Sequence, residues 1–278
     1  MPQDGFVRAR RPEHKQQRRQ AILDAARTLG MESGVREVTL RGVALAVGLA
    51  KSNVARYFGT REEIFLELAA EAWGEWERAL TERLEGIERL GDAGRPGGGG
   101  RSADVGQLAD GGRFADGGRS ADAELPPVVA ELPPVTEQHP AAERLADVRT
   151  GEAVVAAVAE TLADRPFLCD LISQTSTTLE HNISLEAARA FKREALAVVG
   201  RLGARVGHAH PALTESEGGE LIAAAAALAG MLHPVAAPPP VMRELYAQEP
   251  DLAAACPQLL PTLRRSLAAL AAGLPTLR

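Results

Sequence analysis

The run "VALAVGLAKSNVARYFGTREEIF", Val43 to Phe65, decides how the N-terminal quarter of this 278-residue chain folds. Val43, Ala44 and Val47 recur at helical spacing and stop at Gly48, a residue that accepts the left-handed backbone of a helix end. A tight turn follows at once. "LAKSNVARYF" then forms another helix, with Leu49, Val54 and Phe58 facing inward and Lys51, Ser52, Asn53, Arg56 and Tyr57 outside. Thr60, with Glu63 three residues later, has the spacing of a capping box and opens a longer helix.

Outward from that run, Ile22, Leu23, Ala25, Ala26 and Leu29 define a first amphipathic helix from about Lys15 to Glu32, closed by Gly34. The polar lead "RRPEHKQQRRQ" places residues 1–14 in a basic flexible tail. Thr39 stands at the N-cap of the helix that ends at Gly48, ahead of Leu40 and Val43. Downstream of Thr60, Ile64, Phe65, Leu68, Ala72, Trp76 and Leu80 line one stripe of the fourth helix, which runs to about Leu90.

Hydrophobic residues make up 45% of the chain and aromatics only 4%, alanine dominates, and strand formers are sparse. That composition predicts an all-α protein. The longest apolar run, "LIAAAAALAGMLHPVAA" from Leu221, is mostly alanine and short of a bilayer span, so no membrane helix is expected. The polar, basic start does not read as a secretory signal, and the expected location is the cytoplasm. Cys169 and Cys256 lie far apart without metal-ligand spacing, and are read as buried thiols. Charge is divided unequally. Residues 1–65 carry 12 Lys/Arg against 7 Asp/Glu, net +5, while the remainder carries 19 against 30, net −11. A basic head on an acidic body suits a polyanion-binding role.

Between residues 91 and 142 the composition changes to repeated "GGR-AD" units and a duplicated "AELPPV", too polar and glycine-rich to offset the entropy of ordering. This stretch is expected to be a disordered low-complexity insertion. Structure is expected to resume with helices at Val154 to Ala163, from Pro166 to about Leu179, from the Ser184 cap to Val206, from the Thr214 cap to the cluster Pro238–Pro240, and from Pro257 to Ala272. The last two are so rich in alanine that backbones can approach closely, which predicts self-association through them.

Two short helices joined by a tight turn, the second with a polar outward face, are the ingredients of a helix-turn-helix, whose second helix enters the major groove of DNA. The run "AILDAARTLGMESGVREVTLRGVALAVGLAKSNVARYFGTREEIF" resembles the TetR family of bacterial regulators, with a weaker similarity in "RPFLCDLISQTSTTLEHNISLEAARAFK" to ligand-binding domains of some members. The family's recognition region ends in Tyr, two residues, then Phe, followed by a capped turn and Lys-Glu-Glu. Here Ala55 occupies the tyrosine position, while Tyr57, Phe58 and "TREE" fit. The expected layout is a helix-turn-helix head at 15–75, a connecting helix at 76–90, and a helical ligand-binding and dimerisation domain at 143–278.

By their chemistry, Thr39 and Arg41 are expected on backbone phosphates. Lys51, Ser52 and Asn53 lie where side chains reach base edges or adjacent phosphates, with Asn suited to adenine and Lys to guanine. Arg56 and Tyr57 would grip the rim. Arg61, matching the family's lysine, is expected on a phosphate beside a helix N-terminus. The resemblance implies a homodimer on a pseudo-palindromic double-stranded DNA operator and an unknown small-molecule effector. A ligand pocket is placed around Phe167, Leu171, Thr175, Leu179, His181 and Phe191. His181, His208 and His210 are too scattered for a metal box, and neither a metal, a cofactor nor a catalytic group is expected. Two rivals are a small-molecule-binding helical protein with a degenerate DNA-binding head, and an enzyme with an appended head.

Overall fold

A computed structural model of the chain describes residues 6–93 and 140–278. Among these residues there are helices and no strand. The elements in order are α1 (Phe6–Ser33), a 3₁₀ turn (Val35–Glu37), α2 (Leu40–Ala46), α3 (Lys51–Val54), α4 (Arg61–Ala93), α5 (Pro140–Ala163), α6 (Pro166–Gln174), a π-helical turn (Thr175–Leu179), α7 (Leu185–Ala209), α8 (Glu215–Ala236), α9 (Pro240–Gln248), α10 (Pro250–Ala255), α11 (Leu259–Gly273) and a last 3₁₀ turn (Leu274–Leu277).

The caps set most of these boundaries. The hydroxyls of Thr39, Ser184 and Thr214 accept from the backbone N–H groups of Gly42, Ala187 and Glu217 at the starts of α2, α7 and α8. At Thr214 the Glu217 carboxylate also returns to the Thr214 N–H at 2.7 Å, which completes a capping box. Gly48, with φ +65°, supplies the left-handed turn after α2. The expected cap at Thr60 forms too, with the Glu63 N–H donating to its hydroxyl at 3.2 Å.

Several boundaries differ from the sequence expectations. α1 begins at Phe6, so residues 6–14, expected in a flexible tail, are helical; the arginines and the alanine there are good helix formers. α3 is a single turn, Lys51–Val54, continued by turns at Ala55–Tyr57 rather than by a helix to Phe58. The helix expected at Val154 already starts at Pro140, and the π turn interrupts the helix expected to run to Leu179. α8 continues through Pro234 in its last turn, where the missing N–H removes one helical hydrogen bond just before the helix stops at Ala236. α9 and α10 had no counterpart among the expected helices. Of the insertion expected at 91–142, residues 94–139 lie outside the described residues; 91–93 and 140–142 belong to the ends of α4 and α5.

The head packs α1, α2, α3 and the first turns of α4 around Ile22, Leu23, Val43, Val54, Phe58, Ile64 and Phe65, all buried. α4 carries this core onward into the body. There Trp76 is fully buried and donates to the Thr161 hydroxyl at 3.1 Å, and that hydroxyl donates to Ala157 O at 2.7 Å. These two bonds satisfy the buried Trp76 indole N–H and Thr161 hydroxyl at the α4–α5 seam. In the body, α8 is packed by α5, α6, α7 and α11 and buries Leu221, Ile222, Ala225 and Ala229. α7 and α8 touch backbone to backbone. A Cβ on Gly203 would run into Gly219, and one on Gly218 into the Gly203 carbonyl, so only glycine permits the approach.

Candidate nucleic-acid interface

The outward face of the helix-turn-helix is held from behind by arginines. Arg19 of α1 binds Glu67 of α4, donates to the Tyr57 carbonyl at 2.8 Å and lies 4.0 Å over the Phe58 ring, tying α1, α4 and the end of the recognition segment together. Arg27 of α1 bridges Glu71 and Glu75 of α4, both at 2.9 Å. Burial alone would lower the pKa of Arg27, but the two carboxylates outweigh it and push the pKa up.

Arg61 was expected on a phosphate, and its side chain points elsewhere. Its guanidinium donates to the carbonyls of Val35 and Val38, pairs with Glu62 at 3.1 Å and lies 4.8 Å from the Phe65 ring centroid. The forked donors are spent on two carbonyls of the segment just before α2, that of Val38 and that of Val35, which also accepts from the Val38 N–H at 3.4 Å. Only 14% of the side chain is exposed. In this structure Arg61 is a brace for the head.

The remaining expected residues lie on the outer surface. Thr39, Arg41, Lys51, Ser52, Asn53 and Arg56 are exposed and Tyr57 is half-buried. Thr39 uses its oxygen as the α2 N-cap, accepting from Gly42 N–H at 3.0 Å, and keeps its hydroxyl hydrogen to donate. Arg41, Lys51 and Arg56 form no ion pair or side-chain hydrogen bond among the described residues. Ala55, at the position of the family's tyrosine, is exposed and caps the C-terminus of α3. Asn53, Arg56 and Tyr57 line an open hollow of about 470 Å³ together with Leu49 and two residues of α1, Lys15 and Arg18. Neither α1 residue was singled out from the sequence. Both belong to the basic lead, and the i, i+3 spacing of Lys15 and Arg18 on a helix was the available signal.

Behind the face, the head meets the body at two polar seams. The Val35 N–H, next to Gly34 at φ +88°, donates to Asp170 of α6 at 2.7 Å. Glu63 at the start of α4 accepts from Gly59 N–H at 2.9 Å and from Ser184 N–H at 3.1 Å, while Glu62 accepts from the Asn182 amide. Burial by itself would raise the Glu63 pKa; the N–H groups of Ser184, Gly59 and Thr60 outweigh it and hold the carboxyl below its ordinary range.

The six residues expected to surround a ligand occupy different environments. Leu171, Leu179 and Phe191 are buried in the core. The Thr175 hydroxyl donates to Leu171 O at 2.7 Å, which satisfies it within its own turn. Phe167 sits on the head–body seam, against Gly30 and 5.8 Å from the Arg27 guanidinium. His181 is exposed, because the chain turns outward between the π turn and the Ser184 cap. Both cysteines are free thiols, but only Cys169 is fully buried as expected, and burial pushes its thiol up to about 12; Cys256 is half-buried, because it ends the short helix α10, none of whose residues is buried.

A three-helix head with a cationic recognition turn, carried by one long helix into an all-helical body, defines the class of DNA-binding regulators with an N-terminal helix-turn-helix. Residues 22–68 match the family described as bacterial regulatory proteins, tetR family, and residues 122–278 match the tetracyclin repressor-like C-terminal domain. The second match covers more than half of the chain, which therefore belongs to the tetR family, and the protein is a DNA-binding transcriptional regulator. No curated protein matches it as a relative.

Proposed function

We propose that the protein is a ligand-responsive repressor that binds a pseudo-palindromic operator as a homodimer. The observation that carries the reading is the division of labour among cations in the head. Arg19, Arg27 and Arg61 are consumed in holding the helices together, whereas Arg41 of α2 and Lys51 and Arg56 of α3 and the turn after it stand exposed, with no ion pair or side-chain hydrogen bond among the described residues. Unpaired cations on one face are what a polyanion needs, and the acidic body discourages adhesion elsewhere.

In this reading Lys51, Ser52 and Asn53 meet base edges, Thr39 and Arg41 hold phosphates at the start of α2, and Arg56 and Tyr57 grip the rim. Two copies join through the outward faces of α8 and α11, where Ala223, Ala227 and Met231 are exposed on α8 and Ala268 and Ala272 on α11. An effector releases the operator only by binding better to the non-operator spacing of the two heads. The pocket remains assigned to the segment Phe167 to Phe191, which contains both head–body seams on the body side. Such a regulator works in the cytoplasm, on the nucleoid.

Electrophoretic mobility shift with fragments of the source genome tests the proposal. Retention of one or a few promoter fragments, each protected as two related half-sites, is the expected result. Uniform weak retention of all fragments would favour the rival reading of a helical ligand-binding protein with a degenerate head.

A further inference from the structure

The hollow between α1 and the recognition turn has walls of two kinds. One is the first helix, with Lys15 and Arg18; the other is α3 and the turn after it, with Asn53, Arg56 and Tyr57, and Leu49 contributes an apolar patch. Lys15, Arg18 and Arg56 are exposed, and none of them forms an ion pair or side-chain hydrogen bond among the described residues. Their arrangement contrasts with that of the adjacent Arg19, tied to Glu67 and the Tyr57 carbonyl, and of Arg27 two turns further on, tied to Glu71 and Glu75. The carboxylates of α4 thus neutralise one side of α1, and the side facing α3 is left positive. A neighbouring hollow of about 210 Å³, lined by Gln17, Ala21 and Val47, shares Arg18 and Leu49 and prolongs the depression along α1 toward the turn after α2.

Three like charges around one depression repel each other unless an anion joins them, and the cost falls when that anion is held by guanidinium forks. We infer that this groove seats the sugar–phosphate backbone of bound duplex, with Lys15, Arg18 and Arg56 as its cations and the Asn53 amide and Tyr57 hydroxyl as neutral donors. The inference rests on the regulator reading and deepens it. It gives α1 a direct part in DNA binding, and it moves Asn53 toward the phosphate and away from an exclusive role in reading adenine. Because phosphates carry no sequence, the seat sets the register of the head on the duplex and raises affinity for every sequence alike.

The test is made on the full chain, with an operator fragment selected by mobility shift and a scrambled duplex of equal length. Affinities for both are measured between 50 and 200 mM salt for wild type, for Lys15→Gln/Arg18→Gln, and for Lys15→Arg/Arg18→Lys. The glutamine variant is expected to lose about tenfold or more on both duplexes, with the salt slope shallower by about 0.9 for each phosphate that the protein no longer neutralises, while the charge-keeping variant retains the wild-type slope. Arg56→Gln, which alters the opposite wall, is expected to flatten the slope in the same way. An unchanged slope in the glutamine variants, or a loss confined to the operator fragment, overturns the seat and leaves the regulator reading intact. A wild-type chain that retains neither duplex overturns both.

Discussion

Arg61 illustrates how a residue's type and its role separate. A guanidinium at the start of a helix near DNA is a natural phosphate ligand, yet here it fills the carbonyls of Val35 and Val38 and stacks on Phe65. Arg61→Ala is therefore expected to cost about 1.5–3 kcal/mol of stability, the range for hydrogen bonds to a charged group. Thermal melting of the variant checks this, and the salt slope of its DNA binding should equal that of wild type. Lys51→Ala and Asn53→Ala should leave the melting temperature unchanged. Lys51→Ala is expected to alter preference between operator variants by about 1–3 kcal/mol, measured by competition binding, whereas Asn53→Ala, at the phosphate seat, is expected to weaken all duplexes as well. Glu63 supplies a pH effect. Its folded-state pKa is depressed, so its contribution is fully present above the unfolded value of 4.5 and is lost as pH falls through the lower folded value. The melting-temperature difference between wild type and Glu63→Gln should therefore be largest near neutrality and shrink from about pH 5 to pH 3.

At the scale of elements, the body depends on one close approach. α7 and α8 meet through Gly203, Gly207 and Gly218, and an added Cβ at Gly207 would fall 2.7 Å from Thr214 O. The neighbours there are backbone, which cannot swing aside as a side chain does. Gly203→Ala or Gly218→Ala is expected to force the helices apart at a cost of at least about 1–3 kcal/mol, the usual range for overpacking, visible as a lower urea midpoint. α3 presents the opposite case. Its four residues are far too few to be helical alone, and its shape is maintained by Val54 and Phe58 in the core and by Arg19 on the Tyr57 carbonyl. Arg19→Ala is thus a positional change for the recognition turn as well as the removal of an ion pair.

At the scale of the molecule, the head and the body share a continuous core along α4 and are joined again by Asp170 on Val35 and by Glu63 on Ser184. Rearrangement of the Phe167–Ser184 segment must therefore be felt at the 3₁₀ turn ahead of α2 and at the N-terminus of α4. The proposed dimer gives a further prediction. Met231 is 77% exposed on the outward face of α8, and Met231→Glu should weaken self-association at least tenfold, about 1.4 kcal/mol, in sedimentation equilibrium. Operator affinity should fall with it, since one head then binds one half-site. Unchanged mass and affinity would remove that face from the interface.

The helical class, the turn at Gly48, the N-caps at Thr39, Ser184 and Thr214 and the charge division were legible in the sequence, because each depends on neighbours within a few residues or on composition. The exposed Thr39, Arg41, Lys51, Ser52, Asn53 and Arg56 were legible for the same reason, periodicity separating the inward Val54 and Phe58 from their outward neighbours, whereas Tyr57, expected outside, is half-buried against the core. Only the tertiary structure decided which cations are spent and which are free. Arg61 and Arg19 are committed by carbonyls and carboxylates 23 to 48 residues away, whereas Lys15 and Arg18 find no such partner among the described residues and instead face Arg56 across a groove. Sequence spacing sets which face a side chain takes; the partner opposite that face comes from the packing of distant helices, and no local pattern encodes it.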